Sequence, residues 1–332
     1  MNIAVRLPNW LGDTVMAVPA LAAVRAAWPG ARVLVAGPWA ALLSEQGLAD
    51  VLADYPRTWR GRLRAADTVA AFGPELAILL PNSLEAALAA WYWGARRRVG
   101  FAGGGRSGLL TDAVPMASER PHQIDEYLVL TQRCGATATT DRPVLAAPPP
   151  DSETRVEARA LLAQAGVPAR GATPRLAVHL GAAYGPAKLW PLERVAAFCR
   201  LVVDKGASVV LLGAPGDMDT AASVTAAAPA ASLVGRDRPA LLPALLAEVD
   251  VLVSGDTGVA HLAAALDTPV VTLFGPTDPR LSAPRGRAVA VATHPVPCAP
   301  CFYRDCPIEH PCLRGVEPTD VYARALRLLE AA

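Results

Sequence analysis

Short apolar runs alternate with helical patterns along nearly the whole chain, in two series separated by a proline-rich stretch. In the first series an apolar run at residues 3–7 precedes a helical pattern with Val15, Val18 and Leu21, and a second run follows at 32–36. Such a strand–helix–strand unit nearly always gives a parallel sheet with a right-handed crossover. The alternation therefore predicts a doubly wound α/β fold.

The length and the proline-rich stretch predict two domains. The 332 residues suit two domains of about 150 residues each. Four prolines between positions 143 and 150 indicate a stiff, extended connection. We expect a first Rossmann-like domain at 1–160, a second at 172–317, and a C-terminal helix over 318–332 that packs back on the first domain. In the second series, strands are predicted at 175–180, 208–212, 232–234, 250–253 and 269–273, and helices at 192–205, 217–228, 239–247 and 257–266.

Composition restricts the class of partner. The formal net charge is +1, and no Lys/Arg block is large enough to predict nucleic-acid binding. Asn9 and Asp13 interrupt the apolar N-terminal region, which argues against a signal peptide, and no apolar run reaches the roughly 18 residues of a spanning helix. We expect a cytoplasmic protein that can rest on a membrane surface.

The segment 254–258, Ser-Gly-Asp-Thr-Gly, follows an apolar run and leads directly into a helical pattern. The free amides at such a helix start, together with the helix dipole, favour an anion. Alternatively, Asp256 or Thr257 serves only as the N-cap of that helix. The segment has neither the dinucleotide-binding fingerprint nor the phosphate-binding lysine loop.

Two further loops follow strands of the second series. The loop at 181–191 is rich in small residues, which allow close backbone approach to a ligand, and it carries Lys188, a point charge suited to phosphate. A solvated surface lysine is the alternative. The loop at 274–279 is polar and follows the strand next to the one before Asp256. Together these loops predict one binding floor.

In the first domain, Asp13 closes the loop Asn9-Trp-Leu-Gly-Asp13 after the first strand. A single carboxylate at the mouth of a cleft can act as a general base toward an acceptor hydroxyl. The competing interpretation makes Asp13 the N-cap of its helix, where the dipole favours a negative charge. Doubly wound domains bind ligands at the carboxyl ends of their strands, so we expect Asp13 to face the Asp256 loop across a cleft.

Taken in order, these segments resemble glycosyltransferase family 9, the bacterial heptosyltransferases of lipopolysaccharide core synthesis. The resemblance spans nearly the whole chain and is far more specific than any single turn. The segments that carry it are Arg6-Leu-Pro-Asn-Trp-Leu-Gly-Asp13, Leu80-Pro-Asn-Ser83, Arg98-Val-Gly-Phe101, Gly181-Ala-Ala-Tyr-Gly-Pro-Ala-Lys188 with Trp190-Pro191, Ser254-Gly-Asp-Thr-Gly258 with His261, and Phe274-Gly-Pro-Thr-Asp278.

The resemblance implies a GT-B fold and inverting transfer of heptose from ADP-heptose to the heptosylated inner core of lipopolysaccharide, a lipid A-core acceptor at the inner face of the inner membrane. It implies an acceptor-binding first domain and a donor-binding second domain, with no metal or other cofactor in catalysis. The implied roles are a catalytic base, Asp13; diphosphate contacts, Lys188 and the amides of Thr257 and Gly258; a residue that shapes the donor site, Asp256; and acceptor contacts, Asn82 and Ser83.

One position departs from the pattern that the resemblance leads us to expect. Related heptosyltransferases often carry a lysine shortly after the Asn-Ser pair, whereas this chain has Leu84 and Glu85. A cationic contact to a phosphorylated acceptor is therefore absent or supplied from elsewhere. Candidate replacements are Arg60, Arg62, Arg64, Arg97 and Arg120.

Four of the six cysteines crowd into one segment, Cys298, Cys301, Cys306 and Cys312. Thiols at such short spacing in a reducing compartment are typical of a metal site. Reduced thiols that stabilise a loop by packing, and redox pairing, are the alternatives. The three interpretations remain open at the level of sequence.

The same residues bear on several alternative functions. A family 9 transferase with another acceptor or nucleotide-sugar donor is the nearest alternative, followed by a non-catalytic nucleotide-sugar binding protein or an epimerase. Asp13 argues against mere binding, because a binding protein needs no base, and an epimerase would need more carboxylates near the sugar. His261 lies four residues after Thr257, on the same helix face, and is expected to support the core or the cap.

Overall fold

A computed structural model describes residues 1–331 and divides the chain into two units, Met1–Leu145 and Ala146–Ala332. Within the described residues each unit contains one six-stranded sheet whose strands all pair in parallel. Helices connect the strands in both units. The doubly wound α/β fold predicted from the sequence is confirmed.

The first unit begins with the strand–helix–strand pattern predicted from the sequence. Its elements are β1 (Asn2–Arg6), α1 (Leu11–Met16), α2 (Val18–Ala27), β2 (Arg32–Gly37), β3 (Val51–Asp54), α3 (Trp59–Phe72), β4 (Leu76–Leu79), α4 (Leu84–Tyr92), β5 (Arg97–Phe101), β6 (Asp112–Val114) and α5 (Gln123–Cys134).

The second unit repeats the alternation and ends in a long helix. Across residues 1–331, no helix combines the length and the apolar character needed to cross a membrane. The elements of this unit are α6 (Glu153–Gln164), β7 (Arg175–His179), α7 (Leu192–Asp204), β8 (Ser208–Leu212), α8 (Met218–Ala227), β9 (Ala231–Ser232), α9 (Leu242–Leu246), β10 (Val251–Gly255), α10 (Gly258–Ala265), β11 (Val270–Phe274), α11 (Pro279–Ser282), β12 (Val289–Thr293), α12 (Pro311–Arg314) and α13 (Pro318–Glu330).

Both sheets follow one topological plan. Their orders are β3-β2-β1-β4-β5-β6 and β12-β11-β10-β7-β8-β9. In each, the chain starts near the middle, adds strands to one side and then returns to fill the other, so the direction of winding reverses between β1 and β4 and between β7 and β10. Open α/β sheets bind ligands at the carboxyl edge beside such a reversal. The loops after these four strands hold the residues singled out in the sequence.

The central strands are buried on both faces, as a sheet covered by helices requires. Ile3, Ala4 and Val5 of β1 are at most 1% exposed. Ala77 and Ile78 of the adjacent β4 are fully buried. In the sequence, continuous apolar runs of this kind predict the strands.

The helical pattern after β1 is divided into two helices at Ala17. Pro19 has no amide hydrogen to donate to the carbonyl of Val15, and its ring would clash with that carbonyl in a continuous helix. Ala17 donates to the carbonyl of Asp13, and Leu21 donates to the carbonyl of Ala17, so each helix keeps its own hydrogen bonds. The break shortens the helix that carries Asp13 to a turn and a half.

The unit boundary lies before α6, earlier than the predicted limit at residue 160. An ion pair buried within the second unit accounts for this, because Arg155 of α6 lies 2.8 Å from Glu248, whose side chain is 3% exposed. Arg159 and Arg175 approach the same carboxylate at 3.2 Å and 3.6 Å. These contacts fasten α6 to the second sheet.

The C-terminal helix α13 packs within the second unit, against α7 and the strands β10 to β12. The packing of this helix on the first domain stays a prediction, and its last predicted residue, Ala332, lies outside the described residues. Val321 and Ala325, one helical turn apart, are fully buried in the same cluster as Phe198 of α7. Leu326, the next residue along the helix, is 40% exposed.

Candidate functional site

The first unit holds a cavity of about 210 Å³ at the carboxyl edge of its sheet. The loops after β1 and β4 form one wall, and α5 contributes side chains to another. Two predicted residues, Asp13 and Asn82, line this cavity. Its lining residues are Pro8, Asn9, Trp10, Asp13, Leu80, Pro81, Asn82, Gln123 and Tyr127.

Asp13 is the third residue of α1, and the N-cap position belongs to Trp10, which has extended backbone and no side-chain cap bond. The N-cap interpretation of Asp13 was therefore wrong, although the carboxylate still lies in the first turn, where the dipole favours it. Its side chain is half-buried at the cavity. Burial raises the pKa of the neighbouring Tyr127 well above the usual value, and the charge of Asp13 raises it further. The phenol therefore remains protonated as a neutral hydrogen-bond donor.

A charged network adjoins Asp13 on the α5 side. Arg120 donates to Glu126 over 2.9 Å and also to the side chain of Gln123, which lines the cavity. The hydrogen bond to Glu126 raises the pKa of Arg120, and the charge of Asp13 adds to that effect. The Arg120 side chain is 50% exposed, whereas Glu126 is almost completely buried. Arg120 thus presents positive charge at the rim of the cavity that holds Asp13.

The structure accounts for the glutamate that stands where a lysine was expected. Arg6 is fully buried beneath the loop, with its guanidinium 4.2 Å from the ring centre of Tyr55 and 4.0 Å from the carboxylate of Glu85. Burial lowers the pKa of Arg6, while Glu85 opposes this by favouring the charged form. A lysine at position 85 would place a second cation beside Arg6. Arg6 also donates to the side chain of Asn9 over 3.0 Å, which orients the loop before Asp13.

The side chain of Ser83 stabilises the start of a helix. Its hydroxyl accepts the amide hydrogen of Ala86 over 3.1 Å and caps α4. The carbonyl of Asn82 accepts from buried Arg106 over 3.3 Å, so the loop is held from both sides. Asn82 lines the cavity, whereas Ser83 is not among its lining residues.

The second unit brings Lys188 and Asp256 together. The ammonium nitrogen of Lys188 lies 2.5 Å from Asp256 Oδ2 and donates over 3.1 Å to the Asp256 carbonyl. The side chains are only 12% and 6% exposed, so the surface-lysine interpretation was wrong. Thr277, from the loop after β11, donates to the same carboxylate over 2.7 Å. The three loops predicted to form one binding floor therefore meet at Asp256.

The pair borders a cavity of about 240 Å³ between the loops after β7 and β10. A Cβ at Gly255 would lie 2.8 Å from the Lys188 carbonyl, so only glycine lets the 3₁₀ turn Pro186–Lys188 approach β10 this closely. Side chains of Lys188 and Ser254 line the cavity, as does the ring of His179. Burial lowers the pKa of His179 to about 4, which keeps that ring neutral.

Thr257 is the N-cap residue of α10, with extended backbone, and makes no side-chain cap bond in the described chain. Its hydroxyl lies 3.0 Å from the hydroxyl of Ser254 instead. Gly258 and Val259 occupy the first two helical positions, whose amides have no acceptor within a helix. The helix start is thus an anion-binding terminus in chemical character. His261 is buried on the same helix, in line with its expected core position.

Arg304 and Tyr184 enclose Lys188 and were not identified from the sequence. Tyr184 lies with its ring centre 4.8 Å from the Lys188 ammonium, and its hydroxyl donates to the Phe302 carbonyl over 2.6 Å. Arg304 donates to the Tyr184 carbonyl over 2.7 Å and accepts from the Ala187 amide over 2.9 Å through its own carbonyl. Tyr184 and Ala187 lie more than 110 positions before Phe302 and Arg304 in the sequence. Only the spacing of the cysteines marks the segment around Arg304 as unusual.

The cysteine segment 298–312 thereby forms part of the wall around Lys188. All four thiols are free; Cys312 is buried, and Cys298 is exposed. Burial raises the pKa of Cys312, and the neighbouring Cys298 and Cys306 add to the shift. Among residues 1–331, no three or more Cys, His, Asp or Glu side chains are grouped so that they could hold a metal ion. The geometry supplies a packing role for Cys312, whose sulfur would lie 2.9 Å from a Cβ at Gly275 and so occupies the space beside that glycine.

Asp237 is a further residue that sequence reasoning missed. Its Oδ2 accepts the amide hydrogen of Gly213 over 2.8 Å at the end of β8, while its Oδ1 is buried. Burial raises the pKa of Asp237 to about 6, although hydrogen bonds from the backbone oppose this. An acid whose pKa is higher in the folded than in the unfolded chain destabilises the fold as pH rises between the two values.

Asp237→Asn should therefore increase stability above pH 6. The free energy of unfolding should rise by about 1 kcal/mol at pH 8, after allowance for the partly exposed side chain, and should change little near pH 4. Asparagine can still accept from Gly213. Urea unfolding of the variant and of Asp219→Asn, an exposed carboxylate nearby, at both pH values measures the effect. Equal stabilisation at both pH values would contradict the titration of Asp237.

The similarity to known proteins covers residues of both units. A sequence model of glycosyltransferase family 9 (heptosyltransferase) matches residues 63–311. The chain is 28% identical over 299 residues to lipopolysaccharide heptosyltransferase 2 of Escherichia coli (strain K12), covering 86% of this chain and 85% of that protein. It is 26% identical over 305 residues to lipooligosaccharide heptosyltransferase 2 of Haemophilus influenzae, with 86% of each chain covered. The solved structure of E. coli ADP-heptose lps heptosyltransferase II matches with a TM-score of 0.81 at 25% identity, over 100% of both chains.

Proposed function

The chain belongs to glycosyltransferase family 9, and we propose that it is an inverting transferase that moves L-glycero-D-manno-heptose from ADP-heptose to the heptosylated inner core of lipopolysaccharide. It is a glycosyl-transferring enzyme with a GT-B fold. Similarity to two heptosyltransferases 2 over 86% of the chain supports the donor and the acceptor. The structural observation that carries the proposal is the Lys188–Asp256 pair beside the start of α10.

The second unit is the proposed donor-binding unit. Lys188 uses two of its three ammonium hydrogens on Asp256, which leaves the third for a diphosphate oxygen. The amides of Thr257 and Gly258 would donate to the same diphosphate at the positive end of the α10 dipole. Asp256 holds the lysine in place and orients Thr277. These fixed donors would stabilise the negative charge that grows on ADP as it leaves.

The first unit is the proposed acceptor-binding unit. The acceptor hydroxyl oxygen would attack the anomeric carbon of the heptose while the bond from that carbon to the ADP oxygen breaks. Asp13 would take the hydroxyl proton as general base. Direct displacement inverts the anomeric configuration, because the nucleophile enters opposite to the leaving group.

Acceptor contacts are proposed around the same cavity. Asn82 lines it and supplies an amide that can donate to a sugar hydroxyl and accept from one. Ser83 keeps its hydroxyl hydrogen for a ligand while its oxygen caps α4. For the missing lysine, Arg120 is the replacement that lies beside Asp13. Arg62, 3.5 Å from Glu85, and Arg97, 3.0 Å from Asp112, are ion-paired as Arg120 is with Glu126, so the feature that favours Arg120 is its electrostatic interaction with Asp13.

A direct transfer assay tests the proposed function. The protein is supplied with ADP-heptose and a phosphorylated lipid A core that already carries one heptose, and ADP release and product mass are measured. We expect addition of one heptose with inversion at the anomeric carbon, and no addition to a core without heptose. Transfer with a different donor or acceptor only would replace the substrate assignment. ADP-heptose binding without transfer to any core acceptor would favour a non-catalytic binding protein.

A further inference from the structure

The outer surface of α3 and α4 in the first unit exposes large apolar side chains. Trp59 is 69% exposed and Trp91 is 60% exposed, and four other side chains are between 45% and 56% exposed. We call this surface the α3–α4 face. It is formed by Trp59, Leu63, Leu84, Leu88, Trp91 and Tyr92.

Spacing places these residues on one side of each helix. Leu84, Leu88 and Trp91 follow each other at intervals of four and three, and Trp59 and Leu63 at four. The inner side of α4 is apolar as well, with buried alanines against the sheet. The helix is therefore apolar on its solvent side too, where a surface helix normally carries polar residues.

The two helices lie side by side, so their exposed residues form one surface. Tyr92 near the end of α4 donates to Asp67 of α3 over 2.5 Å. Arg62 near the start of α3 lies 3.5 Å from Glu85 near the start of α4. Both helices connect strands that advance in the same direction across the sheet, which places them on the same side of it. A continuous exposed apolar patch of this kind marks an interaction site.

Positive charge borders the α3–α4 face. Arg60 and Arg64 are exposed and have no ion pair among the described residues. Arg57 is exposed and stacks 4.5 Å from the ring of Trp10, itself 43% exposed at the cavity of the first unit. Of the acidic groups on α3 and α4, Glu85 is paired with Arg62, whereas Asp67 accepts from the neutral hydroxyl of Tyr92 and keeps its charge. Three exposed arginines against one aspartate leave the border of the patch with an excess of positive charge.

The face begins at the rim of the proposed acceptor cavity. Leu84 is two residues beyond Asn82, which lines that cavity. Tryptophan and tyrosine settle at bilayer interfaces, and exposed arginines add attraction to anionic headgroups. We infer that the α3–α4 face docks the first unit on an anionic lipid bilayer. The inference rests on the proposed function in that a lipid-anchored acceptor requires the cavity to lie near the membrane surface.

Vesicle binding by the full-length protein tests the inference. Sedimentation with vesicles of phosphatidylethanolamine and phosphatidylglycerol should retain the wild-type protein, and vesicles of phosphatidylcholine alone should retain much less. Trp59→Ser with Trp91→Ser should lower the partition coefficient by about tenfold or more. Arg60→Glu with Arg64→Glu should lower it by at least about tenfold at low salt and less at high salt. Val156→Ser, an exposed apolar residue on α6, is the matched control and should leave binding unchanged.

Activity measurements separate docking from catalysis. The Trp59→Ser, Trp91→Ser variant should transfer heptose to a water-soluble deacylated core at the wild-type rate, but more slowly to the same core anchored in vesicles. Wild-type protein that fails to bind anionic vesicles, or a tryptophan variant that binds them equally well, would overturn the inference. The inference would also be overturned if the wild-type protein bound no vesicles but formed a dimer that the tryptophan variant does not form. Vesicle binding through this face by a protein that transfers no heptose would leave docking supported and refute the proposed function instead.

Discussion

Asp13→Asn is expected to reduce the rate of heptose transfer by about 10²–10⁴-fold, the usual contribution of a general base. Asparagine has the shape of aspartate but cannot take a proton from the acceptor hydroxyl. The side chain lies at the cavity of the first unit, whereas the proposed donor contacts belong to the second unit. The affinity for ADP-heptose should therefore remain unchanged. Both expectations can be checked on one preparation: product formation measures the transfer rate, and calorimetry measures the affinity for the donor.

The substitution should leave the fold intact. Loss of a negative charge in the first turn of α1 is expected to cost about 1 kcal/mol or less. Asp54→Asn, an exposed carboxylate at the end of β3 in the same sheet, is the matched control and should retain full activity. Substantial transfer by a folded Asp13→Asn protein would remove Asp13 from the role of base.

Lys188→Ala is expected to lower kcat/KM by about 10²–10³-fold, which is typical for removal of one donor to a developing oxyanion. ADP binding should weaken as well, because the same ammonium would contact the diphosphate before and during reaction. A second effect follows from the pairing with Asp256, whose carboxylate would stay buried without its cation. Breaking a buried ion pair on one side costs about 3–5 kcal/mol in the free energy of unfolding. Steady-state kinetics and urea unfolding measure the two effects separately.

A double variant distinguishes catalytic from structural loss. Lys188→Met with Asp256→Asn removes both charges, and we expect it to recover most of the stability lost in Lys188→Ala but none of the activity. The only other lysine of the chain, Lys205 at the end of α7, provides the control, and Lys205→Ala should affect neither measurement. Recovery of activity in the double variant would show that Lys188 serves the fold and makes no contact with the donor.

The strands and helices were predictable where the sequence pattern of a single segment identifies them. The strand at 208–212 was predicted with the bounds that β8 has, and the runs before Lys188 and Asp256 were placed within two residues. The outermost strand β12 was missed because its residues are mostly half-buried and its apolar run is flanked by other small apolar residues. In the first unit, β6 spans three residues, too few to show a period.

The residues of the candidate site were likewise predictable where they depend on local sequence signals. Lys188, Asp256 and Thr277 each lie in a loop after a strand, and this position in the sequence predicts that all three lie at the carboxyl edge of the sheet. Sequence could not tell whether Lys188 was solvated or paired, since the answer depends on a carboxylate 68 residues away. Tyr127 gave no signal at all, because an isolated tyrosine in an amphipathic helix looks like a core residue.

By itself the sequence determined the alternation of strands and helices, the two-unit plan and the family, since these depend on short-range periodicity and on residues read in order. Tertiary structure decided the pairing of charges: Glu85 with buried Arg6, Lys188 with Asp256, and Glu248 with Arg155. It also decided that α13 packs on α7, where Val321 and Ala325 join the buried cluster that contains Phe198. The physical reason is the same throughout, because burial makes an unpaired charge or an uncovered apolar side chain costly, and burial is set by strand order.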